Sequence, residues 1–270
     1  MTRSSTIGDP VTSSARFAPG TFTPAPGRGK LGRMFLAQSR VEMLLTLRHG
    51  EQILLTVLIP VALLVALTLM TVIPMPDPRV GSATARVFAL AILSSAFTGQ
   101  AIALGFDRRY GVLKRLAAAL PRWLLVAGRV TAALAVVAVQ VLILGGTALL
   151  LGWRPPASGI AWAVLLIVLG TLTFGALGVL LGGALRAEIV LALANIVWFV
   201  LLLIGGLALG VDALPSGVAQ VVQLLPSAAL AEGLHSAVVD GTGPGPGPIA
   251  VLLTWGLAAT ALATRTTKLD

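Results

Sequence analysis

Residues able to do proton or metal chemistry are scarce in this chain. His49 and His235 are the two histidines, and imidazole is the side chain best suited to proton transfer or metal ligation near neutral pH. They fall at opposite ends of the apolar segments described below, so they cannot converge, and each reads as an interfacial residue. Cysteine is absent, which removes disulfides, thiolate metal sites and cysteine nucleophiles. The sequence contains no HExxH, no GxSxG and no acidic cluster with metal spacing, so the expected catalytic and metal sets are empty. Neither GxxxxGKS nor GxxxxGKT occurs. Without a loop of that kind to cradle ATP phosphates, any ATP-driven work needs another polypeptide.

Charge gathers instead in FDRRYGVLKRLAAALPR, Phe106–Arg122. Leu113, Leu116, Ala117 and Leu120 recur at helical spacing while Lys114 and Arg115 point elsewhere, which predicts a short amphipathic cytoplasmic helix ending at Pro121. Within the apolar stretches the polar candidates are Gln100, Gln140 and Asn195. Each has two readings: a hydrogen bond to a neighbouring helix, or a place on a translocation path. Acids and histidines are nearly missing from those stretches, so transport coupled to a bound ion has few ligands to work with.

The elements that must hold these residues are long and apolar. Six uncharged runs stand out: Ile53–Ile73, Val87–Phe106, Val130–Leu151, Ile160–Leu185, Ile189–Val211 and Ile249–Thr264. A helix rises about 1.5 Å per residue, so the first five are long enough to cross a hydrocarbon core of about 30 Å, and the sixth is the shortest. The expected fold is all-α, a polytopic membrane protein with six transmembrane helices at about 53–73, 87–106, 124–151, 160–185, 189–211 and 249–264. A mean hydropathy of +0.96 and a charged content of 11% stand far from the soluble average of about a quarter charged. Almost the whole chain is therefore membrane domain.

Basic residues alternate between the gaps. Arg3, Arg16, Arg28, Lys30, Arg33, Arg40 and Arg48 precede the first run, Arg108, Arg109, Lys114, Arg115 and Arg122 follow the second, Arg186 follows the fourth, and Arg265 and Lys268 follow the last. Only Arg79, Arg86 and Arg154 fall in the opposing gaps. The positive-inside rule then places both termini in the cytoplasm. Arg129, near the inner end of the third run, is expected to snorkel to the interface. The net charge of +9 reads as contact with anionic headgroups and not with nucleic acid. Heavy use of Ala, Leu, Val, Gly and Arg suggests a high-GC bacterium.

Residues 1–30 are rich in Ser, Thr, Pro and Gly and lack an apolar core, so they read as a disordered cytoplasmic extension ahead of a transmembrane domain at 31–270. Leu31–Glu51 places Met34, Val41 and Leu45 on one stripe, which suits a helix lying in the inner interface or an extension of the first span. Pro60 is expected to kink the first span. PMPDPRVGSATAR reads as a tight external cap, and the GxxxG of Gly178 and Gly182 as internal helix packing. VAQVVQLLPSAALAEGLHSAVV is too apolar for an exposed loop and is split by Pro226, which suggests two short helices dipping into the outer leaflet. The GTGPGPGP run after it reads as a flexible lead into the last span.

FDRRYGVLKRLAAALPR resembles the ERExGTLKRL segment and following proline turn of ABC-2-type permeases, especially the membrane subunits of daunorubicin-resistance-type drug exporters. Asp107 stands at the first acidic position and Arg108 at the basic one, and Gly111, Leu113, Lys114, Arg115 and Leu116 match onward. Arg109 replaces the second acid and Val112 replaces Thr. The likeness extends to chain length, six spans, the N-terminal helix, Asn195 early in the fifth span, and LLPSAALAEGLHSA before the sixth. It implies a non-catalytic permease in a bacterial cell membrane, dimerised and paired with two cytoplasmic ABC ATPase subunits that bind ATP and Mg. It further implies an elbow helix carrying Arg40, Glu42 and Arg48, a coupling helix over Asp107–Leu116 that docks on the ATPase, and an external re-entrant hairpin carrying Pro226 and Glu232. The implied task is export of hydrophobic or amphipathic small molecules such as drugs, antibiotics or lipids, hence multidrug efflux and antibiotic resistance. The competing reading is an ATP-independent carrier or a structural or assembly membrane subunit. A membrane-embedded transferase or protease lacks its catalytic residues.

Overall fold

The structure is a computed structural model that describes residues 30–48, 50–70, 75–113, 115, 122–205, 207 and 215–266. The expected disordered extension at 1–29 and the stretch 116–121 lie outside the described residues. Regular structure among the described residues is helical throughout: α1 Leu31–Arg48, α2 Gly50–Leu69, α3 Arg79–Ile92, α4 Gln100–Arg109, α5 Arg122–Leu150, α6 Ala157–Ala184, α7 Ala187–Leu203, α8 Ser216–Val222, α9 Pro226–His235 and α10 Pro246–Thr266. A π-helical turn, Leu93–Gly99, joins α3 to α4, and a second, Ser236–Asp240, extends α9.

Among the described residues four stretches are long and apolar enough to cross a membrane: Arg79–Arg109, Leu124–Leu150, Ala157–Ala184 and Pro246–Arg265. Thr56–Leu69 and Ala187–Leu203 are shorter apolar helices. The last span, the weakest in the sequence, is thus full length, because its helix begins at Pro246, where a proline's missing N–H removes no helical bond. The fifth falls short instead. Its helix ends at Leu203, Val211 lying outside the described residues, and two residues beyond that end the Gly205 backbone lies so close to Ser227 that any side chain at Gly205 would overlap it.

The external cap expected over PMPDPRVGSATAR is corrected by α3, which begins at Arg79 and buries Gly81 to Ala85 completely. Small residues permit this, since a backbone without bulky side chains lets its neighbours approach. The hydroxyls do not oppose it either: Ser82 donates to the Pro76 carbonyl at 2.8 Å and Thr84 to the Val80 carbonyl at 2.7 Å. Arg79 folds back onto the end of α2, donating to the Leu67 carbonyl at 2.9 Å and to the Met70 carbonyl. A cation is favourable there because the last carbonyls of a helix have no intrahelical partner.

Helix α6 runs through the middle, against α3, the first π turn, α4, α9 and α10. Glycines set its approach on two sides. A methyl group at Gly178 would stand 2.7 Å from the Phe97 carbonyl oxygen, and one at Gly182 2.5 Å from that of Ala101, so both serve internal packing as expected. Farther along, Gly170 receives Leu230 of α9, and Gly159 lies directly against the Ala237 carbonyl of the second π turn. Leu230 and Leu234 are fully buried, so α9 is part of the core. The GTGPGPGP run is packed and not a free lead: Ser158 donates to the Gly241 carbonyl at 2.8 Å, and Gly243 lies on the Trp162 ring. Trp153 closes the same end, edge-on to Phe88 at 6.2 Å and donating to the Val238 carbonyl at 3.2 Å.

Candidate functional site

Three consecutive charged residues lash the end of α4 to three different helices. Asp107 pairs with Arg129 of α5, Arg108 donates to the Gly182 and Leu185 carbonyls at the end of α6, each at 3.2 Å, and Arg109 pairs with Glu188 at the start of α7. The Arg109–Glu188 pair is exposed and contributes little by itself. The other two differ. The Arg129 side chain is only 7% exposed, so it does not snorkel as its position suggested; an acid one helix away holds it inside. Arg108 satisfies carbonyls that α6 leaves open at its C-terminus.

The stretch expected to form one helix from Asp107 to Leu116 is interrupted at Tyr110 and Gly111. Asp107, Arg108 and Arg109 are the last turn of the spanning helix, which stops at Tyr110 and Gly111. Gly111 has φ +68°, the left-handed conformation that ends helices and that glycine adopts without a Cβ clash. Beyond it, Val112, Leu113 and Arg115 are helical, with Leu113 buried and Arg115 exposed. Lys114 and Leu116 lie outside the described residues.

A first cavity, about 680 Å³, opens between α2, α3 with its π turn, and α7. Its walls are mostly apolar, including Ile59, Leu63, Leu90 and Leu202, with a polar strip of Ser94, Thr98 and Asn195 beside Trp198. The Trp198 indole donates to the Ser94 hydroxyl at 2.9 Å. The buried Thr98 hydroxyl has no partner among the described residues. Cavities of this size and make-up, apolar with a few convergent polar groups, are typical of small-molecule sites. A second cavity, about 640 Å³, lies between α4, α5, α6 and α10 at the charged end.

Of the polar residues singled out in the sequence, Asn195 lines the first cavity, with its amide donating to the Leu191 carbonyl at 2.7 Å. Gln140 is buried and used at both ends: it donates to the Thr56 carbonyl at 3.0 Å and accepts from the Ser95 hydroxyl at 2.9 Å, so it clamps α5 to α2 and to the π turn. Gln100 packs its Cβ against Gly178 of α6. Arg40 is exposed on α1, whose Gln38 donates to Glu42 at 3.0 Å and packs against Gly128 of α5; Arg48 is the last residue of that helix. Pro226 opens α9, Glu232 is exposed on it and His235 closes it. His49 lies outside the described residues. Ser94, Thr98 and Trp198 were not legible as a group, because Trp198 comes from another helix 104 positions beyond Ser94. Glu188 and Arg129 were hidden by distance along the chain.

Long apolar helices, with charged residues locking their ends together, are those of a multi-pass membrane protein. Residues 67–265 match the model of the ABC-2 family transporter protein, and the chain belongs to that family. A search of curated proteins found no match.

Proposed function

We propose that this chain is the permease subunit of an ATP-driven exporter of hydrophobic or amphipathic small molecules, working as one of two permeases joined to two separate cytoplasmic ATPase subunits. The observation that carries the reading is the family match over residues 67–265 on a chain that has no nucleotide-binding loop. Six spans with both termini in the cytoplasm agree with the alternation of basic gaps, and the shorter α2 and α7 supply the first and fifth. In this reading the segment after Gly111, with Leu113, Lys114, Arg115 and Leu116, docks on the ATPase. Asp107 and Arg108 act one step inward, passing its movement to α5 and α6 as a rigid unit. The elbow is α1, with Arg40, Glu42 and Arg48. The re-entrant element is α8 and α9, with Pro226 and Glu232. A lipophilic cargo fits the first cavity, where Thr98 and Asn195 offer the polar contacts. Gln140 supports that wall from behind, and Gln100 borders it.

The test is purification of the tagged chain from its native membrane in mild detergent, with identification of partners and an ATPase assay. Co-purification of an ATPase whose turnover rises with lipophilic compounds is the expected result. A preparation free of ATPase across several detergents would defeat the reading. Lys114→Glu with Arg115→Glu should abolish co-purification while the chain still inserts normally; an inverted or degraded product would show that these charges only anchor the topology.

A further inference from the structure

The geometry points to a ligand site in the second cavity, separate from the cargo cavity, that holds an acyl chain of an anionic phospholipid from the leaflet at the basic end of the bundle. The floor is buried and aliphatic, built by Leu104, Leu125 and Leu252. Its rim, Val126, Leu172, Leu253 and Leu257, is exposed on the apolar outer face of α5, α6 and α10. A cavity with such a rim opens sideways toward lipid and not toward water. Its hydroxyls ask nothing of a ligand: Thr173 donates to the Leu252 carbonyl, Thr260 to that of Gly256 and Thr264 to that of Ala261.

Two features say that the space is kept for an occupant and what the occupant carries. Gly175 of α6 lines the cavity, and a Cβ added there would meet nothing within 4 Å. Gly178 and Gly182, one and two turns on, are required by close backbone neighbours; Gly175 is not, and its effect is to leave the wall open. Arg129 also lines the cavity, almost wholly buried, with Asp107 taking Nη2. A guanidinium presents five N–H donors in a planar fork, so a phosphate can be met from the cavity side while the carboxylate holds the other. The end of the bundle where this happens carries Arg108, Arg109, Arg115 and Arg265, which favours anionic headgroups. A bound lipid would therefore touch the pair that fastens α4 to α5. The site does not depend on cargo or on an ATPase.

The experiment is native mass spectrometry of the full chain purified with equal amounts of phosphatidylglycerol and phosphatidylcholine. Expected is a single tightly held phosphatidylglycerol, retained after the annular lipids are stripped. Gly175→Leu should lower its occupancy about tenfold, since excluding as few as two methylenes is worth that much. Neutralising the pair together, Asp107→Asn with Arg129→Gln, avoids stranding a charge and should keep a lipid bound while erasing the preference for phosphatidylglycerol. Equal retention of both lipids by the unaltered chain, or Gly175→Leu binding as well as the original, would overturn the proposal. So would Gly175→Leu changing which compounds are transported with lipid retention unchanged, which would make the cavity part of the cargo path. Because retention needs neither partner nor turnover, a failed ATPase co-purification leaves this result standing.

Discussion

At the scale of single residues, the decisive groups are polar ones that the apolar helices enclose. Asp107 and Arg129 are 22 positions apart, a separation that no helical spacing rule pairs, so the sequence showed the two charges but not that they meet. Breaking such a pair is costlier than removing both members, because the survivor stays buried without a counter-charge. Asp107→Asn strands Arg129 and should cost about 3 kcal/mol or more, whereas the double neutral variant should cost less. Thermal unfolding in detergent with the two variants side by side checks the order. If the single change is as mild as the double, the pair does not hold α4 to α5. Gln140 makes the same point for a neutral group. Its amide serves a carbonyl on α2 and a hydroxyl on the π turn, so Gln140→Leu leaves both without it and should cost about 1–3 kcal/mol. A matching fall in the unfolding midpoint is expected; altered compound selectivity at full stability would instead place Gln140 on the transport path.

At the scale of elements, apolar length told where most helices lie but not where they begin or what they touch. Runs lacking charge located the long helices because a membrane tolerates few ions, but that rule stops a span at its first arginine. It therefore cut α3 short at Val87, although Arg79 caps α2 and Arg86 lies beside the first cavity. The apolar segment around Pro226 was read correctly as two short helices, yet the burial of α9 depends on Gly170 and Gly159 of α6, whose partners lie far along the chain. Glycine in a helix is ambiguous until its neighbour is known. Gly178→Leu should therefore fail, since its Cβ would press on the Phe97 and Ala96 carbonyls, with a cost of about 3 kcal/mol or more for overpacking that no rotamer relieves. Gly146→Leu on α5, with nothing within 4 Å, should leave folding intact. Size-exclusion profiles of the two proteins make the comparison, and equal behaviour would mean that α6 does not approach the π turn as closely as its glycines allow.

For the whole molecule, the question is which end of the bundle faces the cytoplasm, since every proposed role follows from it. One end gathers the α4 terminus, the start of α5, the end of α6 and the start of α7, together with their arginines. The other holds α9, Trp153 and the glycine-rich turn at Gly241. Charge alone argues that the first end is inside, because basic residues are retained on the cytoplasmic face during insertion. The absence of cysteine makes the argument testable by labelling, since any introduced thiol is the sole target. Tyr110 is 65% exposed beside the α4 terminus, and Thr242 is exposed at the opposite end. In intact cells a membrane-impermeant maleimide should modify Thr242→Cys and spare Tyr110→Cys, and permeabilised cells should yield both. The reverse pattern would put the basic end outside, away from ATP, and would rule out an ATPase docking on the segment after Gly111. Labelling of both thiols in intact cells would mean a chain of mixed orientation, in which the arginines do not set the topology.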